Sequence, residues 1–224
     1  MNQNASGAEG LAAVDAVVVR ATQRALARRQ AVYADEVRRL LDAGLEVMRQ
    51  CGTTQSPRVS DIVDIAGLSR DAFYRHFASK EDLVAAIVDT GAHRLVSYLR
   101  HQMSKDTDPR DQLRRWIEGV MSQAENPEVA HSTRAVLWNG GRVGGETRPE
   151  AVSSYDTLAQ LIVAPIAALG SADPGRDAVI VTHATMGLMR DFLWRCAAPS
   201  QADVAHLVEF CTGALRPPQP KGEL

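Results

Sequence analysis

The 224-residue sequence predicts an all-α fold, with a small three-helix head at the N-terminal end and a larger helical body behind it. Three observations lead there. Apolar residues recur at i, i+3, i+4 and i+7 in one segment after another, the spacing of a helix that buries one face. No segment shows the two-residue alternation of a half-buried strand. Gly, Pro and Ser sit between the periodic stretches, where helices stop and start.

Residues 1–10 are small and polar and are expected to be disordered. Residues 11–30 contain no Gly or Pro and are rich in Ala, and they place Arg20, Arg24 and Arg28 one turn apart. They read as a helix, separate from the next or continuous with it. Residues 35–50 carry Val37, Leu40, Leu41, Gly44, Leu45 and Met48 on one face and end at Cys51-Gly52. After a loop, Pro57 introduces a short helix whose buried face is Val59, Ile62, Val63 and Ala66. Gly67 then breaks the period and supplies a left-handed turn. Ser69 is placed to cap the next helix. Phe73 and Phe77, four apart, bury that helix, so Arg70, Asp71, Tyr74 and Arg75 must point elsewhere. Two short helices joined by a tight glycine turn form a helix-turn-helix.

Ser79, with Asp82 three residues on, opens a long helix from 80 to about 104. Its apolar residues are Leu83, Ile87, Val88, Leu95, Val96 and Leu99, and Thr90-Gly91 is a candidate bend. A helix through Leu113, Trp116, Ile117, Val120 and Met121 follows, then a break at Asn126-Pro127 and a helix over 128–138. Residues 139–146 (N-G-G-R-V-G-G-E) read as a flexible loop. A helix over 149–169 contains Pro165, which should kink it. Helices over 177–196 and 201–215 close the chain before a proline-rich tail. The expected organisation is an N-terminal extension (1–30), the helix-turn-helix unit (31–80), a helical body (81–216) and a disordered tail (217–224).

Hydrophobic residues make up 45% of the chain, enough for a sizeable core, and the net charge is −2. The charge is unevenly spread. From Arg20 to Lys80 there are eleven Lys/Arg against seven Asp/Glu, a net +4, and from Glu81 to Leu224 fourteen against eighteen, a net −4. A basic head on an acidic body draws a polyanion to one end. Cys51, Cys196 and Cys211 show no C-x-x-C spacing and read as reduced cysteines of a cytoplasmic protein. The stretch 11–19 carries Asp15, lacks a basic leader and has no cleavage site, so no signal peptide is expected. No membrane partner is expected either. The six histidines lack metal-ligand spacing, and H-E-x-x-H, G-x-S-x-G and G-x-x-x-x-G-K-[ST] are absent. Neither metal, cofactor nor catalytic residue is expected.

Ile62 to Phe77, followed by Ser79-Lys80-Glu81-x-Leu83, resembles the DNA-binding module of tetracycline-repressor (TetR) type regulators. That pattern is I-A-x-x-A-G-[VL]-S-x-x-x-[FLI]-Y-x-[HY]-F-x-[SN]-K-[ED]-x-L. It covers about a tenth of the chain without interruption. The resemblance implies a TetR-like fold, a helix-turn-helix domain followed by a ligand-binding and dimerisation domain. It implies a dimeric repressor released from a palindromic operator on double-stranded DNA by a small molecule. The N-terminal residues of a recognition helix read base edges, so Arg70 can pair with guanine, Asp71 can accept from cytosine and Ala72 can touch a thymine methyl. Ser69 and Arg75 flank them on the same short helix. By resemblance Tyr74, His76 and Lys80 match phosphate-gripping positions, and Arg58 stands where a Thr commonly does so. Ser60 is a further candidate. For His76 the alternative is a half-buried ring bridging helices. For the arginines of 20–28 the alternatives are a solvated face and a basic arm against DNA phosphates.

The family's dimer forms through its last two long helices. The matching candidates here are Val181, Ala184, Leu188, Phe192, Val204, Leu207, Val208 and Cys211, with packing inside one chain as the alternative. Candidate pocket walls are Trp116, Met121, Trp138, Tyr155, Met186 and Met189, with His131 or His183 to orient a polar group. Their character favours an apolar or amphipathic ligand. The alternative is a DNA-binding regulator without a small-molecule ligand, controlled by a protein partner or constitutive.

Overall fold

The computed structural model describes residues 4–143 and 149–215, with side chains over 21–142 and 155–215. The expected tail at 217–224 and part of the glycine-rich stretch lie outside the described residues. Those described form nine helices and no strand: α1 (Asn4–Cys51), α2 (Val59–Ala66), α3 (Arg70–His76), α4 (Lys80–Met103), α5 (Pro109–Glu125), α6 (Pro127–Val143), α7 (Pro149–Ala168), α8 (Pro174–Arg195) and α9 (Gln201–Ala214). Among them, no helix is long and apolar enough to cross a membrane.

Two boundaries differ from expectation. The segments read as 11–30 and 35–50 are one helix of 48 residues that starts at Asn4, so disorder over 1–10 does not hold from Asn4 onward. No Gly or Pro interrupts the run from 11 to 51 except Gly44, and Gly44 is held inside the helix by packing against Leu83 and Ile87. The second difference is α6, which continues through Asn139-Gly140-Gly141 to Val143 instead of ending at Trp138. Gly140 is there for proximity: a Cβ on it would lie 2.9 Å from Val88 Cγ2 on α4. Asn139 is buried and donates through Nδ2 to the Ala135 carbonyl at 2.9 Å, so its polar side chain is satisfied within the helix.

The α2–α3 turn follows local rules. Gly67 has φ 63 and ψ 38, the left-handed conformation, and its N–H caps α2 on Asp64 and Val63 carbonyls. Ser69 Oγ accepts from the Ala72 N–H at 3.1 Å. Arg39, on α1, closes the turn from outside by donating to the Ala66 and Gly67 carbonyls. A Cβ on Gly67 would also meet Arg39 Nη2 at 2.9 Å. Gly67→Ala is therefore expected to lower stability by about 1–2 kcal/mol, the cost of a left-handed residue bearing a β-carbon. Urea unfolding followed by circular dichroism measures it; an unmoved midpoint would mean that the turn relaxes without cost.

Two clusters of buried side chains form the interior. The head cluster joins Leu40, Ala43, Val47 and Met48 of α1 with Ile62, Val63, Ala66 and Phe73. It takes Leu83, Val84 and Ile87 from the start of α4 and Ala135 from α6. The body cluster gathers α5, α7, α8 and α9 around Trp116, and takes Val96, Leu99 and Met103 from the far end of α4. One helix is thus part of both cores, and a displacement at either end is carried through its backbone to the other.

Candidate nucleic-acid interface

The 7-residue α3 presents two sides. Phe73 is fully buried, with Phe77 tilted against it at 5.9 Å between ring centroids. With this side turned inward, Arg70, Asp71, Tyr74 and Arg75 emerge on the other, and Tyr74 is 56% exposed. Arg58 is the exposed N-cap of α2, with extended backbone and no side-chain cap bond. Lys80 opens α4 and lies 3.8 Å from Glu81 Oε1. It lines a small cleft of about 200 Å³ together with Ser56, Pro57 and Arg142. The first-turn residues of α3 and the starts of α2 and α4 are therefore open to a ligand approaching the head.

Other candidates are already engaged. Ala72 is 5% exposed, because its position on α3 falls beside Phe73 on the buried side, and its methyl cannot reach a thymine. The Ser69 hydroxyl caps α3, and Ser60 Oγ donates to Asp61 at 3.0 Å. The His76 side chain is 0% exposed and donates from Nε2 to Glu36 Oε2 at 2.6 Å. Its ring also meets the Tyr33 ring edge-on, 4.2 Å between centroids. That corrects the phosphate role taken from the resemblance; the bridging histidine is what the chain forms. Arg75 is exposed but also directed to Glu36, with Nη2 2.8 Å from the same oxygen.

The Glu36 carboxyl is held below the usual carboxylate range by the His76 hydrogen bond first and the Arg75 bond second. A carboxylate depressed in the folded state contributes stability that is present above its unfolded value and lost as pH falls through its folded value. Glu36→Gln is accordingly expected to melt below the wild type at neutral pH, with the gap closing on acidification. Calorimetric scans across the acid range check this; a gap independent of pH would show that the latch owes nothing to charge.

The body residues are distributed differently from expectation. Trp116, Met121, Met186 and Met189 are core residues. His131 is exposed, and its Nε2 donates to the Arg49 carbonyl at 2.7 Å, tying α6 to α1. Trp138 carries the Arg142 guanidinium 4.6 Å over its ring. Tyr155, which packs against that core, meets His183 on the exposed side of α8, with ring centroids 5.2 Å apart. None of these eight lines the open cleft of about 720 Å³ between α4, α5 and α9, where Tyr98, Arg114, Glu118 and Glu209 stand. Val181, Val204, Leu207, Val208 and Cys211, expected at a dimer contact, pack inside the chain against the body core. Burial pushes the Cys211 thiol up to about 11. Ala184, Leu188 and Phe192 are half-buried. The large exposed apolar residues of α8 and α9 are Val179, Ile180, Trp194 and Phe210.

Residues 40–87 match the family described as bacterial regulatory proteins, tetR family. Similarity extends to the transcriptional activator FasR of Mycolicibacterium smegmatis, 27% identical over 58% of this chain and 57% of that protein. The transcriptional regulator AcrR of Shigella flexneri is 27% identical over 80% of this chain and 87% of its own. Among solved structures, a TetR-family transcriptional regulator from Mesorhizobium loti superposes with a TM-score of 0.60 at 16% identity, over 82% of this chain and 96% of that one. With its glycine turn and capped α3, the segment 40–87 matches the DNA-binding module of the tetR family of bacterial regulatory proteins, and the described helices take the fold of a TetR-family regulator.

Proposed function

We propose that the protein is a dimeric repressor that occupies an inverted-repeat operator and leaves it when a small apolar or amphipathic molecule enters the body. The observation that carries the reading is the exposed row Arg70, Asp71 and Tyr74, set on a helix whose turn and cap are fixed by Gly67 and Ser69. Arg70 is the base reader, by a bidentate pair with guanine. Tyr74, Arg58 and Lys80 hold phosphates. One short helix reads too few base pairs for specificity, and two-fold symmetry supplies the second about one helical turn (~34–36 Å) or a multiple away.

Release follows from the double membership of α4. Among the described residues, two buried polar atoms in the body lack a hydrogen-bond partner, Trp116 Nε1 on α5 and Thr182 Oγ1 on α8. A ligand with an apolar body and one or two polar atoms gains most by meeting them, since leaving such groups unpaired costs about 1–3 kcal/mol each. Entry between α5 and α8 moves Leu99 and its neighbours on α4, and Leu83 and Ile87 carry the displacement to the head. Differential affinity for the two arrangements is all that the ligand can contribute.

The tight packing of Trp116, Met121, Met186 and Met189 favours a second reading, in which no small molecule enters and a protein partner controls release. The relative FasR is an activator, which favours a second sign of regulation. The experiment is footprinting of the DNA upstream of the gene, with a reporter for sign, repeated across a panel of apolar and amphipathic compounds with Trp fluorescence as the binding signal. Protection of an inverted repeat that one class of compound lifts supports the proposal. Protection unaffected by every compound supports the protein-partner reading.

A further inference from the structure

The stretch of α1 before its contact with the recognition helix is a helix whose described side chains face outward. Every residue from Ala21 to Asp35 is exposed, including Leu26, Val32 and Tyr33. Most helical stability in proteins comes from packing one face, and this segment offers its face to something outside its own chain. Between Asp15 and Asp35 its charge is of one sign: Arg20, Arg24, Arg28 and Arg29, with no acidic residue among them. Among the described residues, no ion pair engages Arg24, Arg28 or Arg29.

Its direction is fixed at two points. Near the C-terminal end of α1, the Arg49 carbonyl accepts from His131 of α6. Further back, Glu36 and Tyr33 are held by Arg75 and His76, at the end of the recognition helix. A helix pinned to the body at one place and to α3 at the next continues away from the body and past the recognition helix. From Val32 back to Asn4 that continuation is ~43 Å at 1.5 Å per residue. Whatever lies against α3 is flanked by this arm.

We propose that the arm is a second DNA contact, a basic helix laid over the phosphates beside each half-site. Its arginines add affinity without reading sequence. Arg24 and Arg28 are one turn apart, ~6 Å along the axis, close to two phosphate steps of one strand. The proposal rests on the DNA-binding reading above and extends it to residues that the helix-turn-helix does not include. A second copy of the chain is a poorer occupant, because two such arms side by side oppose like charges.

The test uses the full chain and a random-sequence DNA duplex, with binding followed by fluorescence anisotropy over a potassium chloride series. Each phosphate contact contributes about 0.9 to the slope of log affinity against log salt. The triple variant R24Q/R28Q/R29Q is expected to bind more weakly, with a slope shallower by about 2–3 for each chain on the duplex, about 5 for a dimer. The variant R24K/R28K/R29K keeps the charges and is expected to keep the wild-type slope. A Gln variant with the wild-type slope overturns the proposal while leaving the helix-turn-helix reading intact. So does one that loses self-association on a sizing column, since the arm then belongs to a second copy. A wild-type chain that binds no duplex at low salt overturns both.

Discussion

Replacing Arg70 and Tyr74 together by Ala is expected to abolish protection of the operator, weakening binding on the order of 10²- to 10⁴-fold while leaving the far-ultraviolet spectrum and the assembly state unchanged. The magnitude follows from duplication. One bidentate arginine–guanine pair is worth about 1–3 kcal/mol of discrimination, and a two-fold complex loses it at both half-sites. The specificity of the loss follows from burial. Both side chains stand on the exposed side of α3, and neither belongs to the head cluster of buried residues. Their removal opens no cavity, whereas Phe73→Ala would remove a fully buried ring from the head core at a cost of about 3–5 kcal/mol. The measurement is footprinting on the inverted repeat, beside anisotropy on random duplex. Arg70→Ala alone should reduce the preference for operator over random duplex. Retained protection by the double variant would remove α3 from the recognition surface.

How much of this was legible in the sequence depends on how far apart the interacting residues are. The glycine turn and both serine caps are decided within a few residues, and Gly67, Ser69 and Ser79 behave as their neighbours indicate. His76 is decided by Glu36, forty positions earlier, and nothing around His76 announces that partner. The same holds for Arg39, whose hold on the Ala66 carbonyl spans 27 positions. On α1, periodicity identified a buried face but set it slightly askew: Ala43 and Val47 are fully buried, and Leu41 and Leu45 only partly. Asn139-Gly140-Gly141 read as a loop because local preference disfavours glycine in helices; a close approach of α4 outweighs that preference. In the body, period counting found the apolar stripe of α9 and could not say whether α5 or another copy covers it. In the folded chain Val204, Leu207, Val208 and Cys211 belong to the chain's own core.

That assignment moves the expected dimer contact to the opposite side of the same helices. The second large effect is therefore expected from Ile180→Asp combined with Phe210→Asp, which should yield a folded monomer with operator affinity lowered on the order of 10²- to 10⁴-fold. Ile180 is 58% and Phe210 65% exposed, so two carboxylates there meet water in a single chain and leave the core intact. In a paired molecule they would be buried without partners, which ionised groups do not tolerate. Ile180, Ala184, Gly187, Asp191 and Trp194 recur at four- and three-residue steps along α8, the seam spacing of helices packed side by side. A Cβ built on Gly187 or on Gly213 of α9 meets no heavy atom within 4 Å, so both positions admit the close approach of another helix. The loss of affinity comes from valency alone. Joining two heads makes the second half-site an intramolecular target, and the gain from such linkage reaches 10²- to 10⁴-fold with no new contact. Random duplex, which needs no fixed spacing between heads, should lose much less. Sedimentation gives the assembly state and anisotropy gives the two affinities. A variant that remains dimeric would return the interface to the half-buried Leu188 and Phe192, and a monomer that holds the operator as tightly as the wild type would mean that a single head suffices.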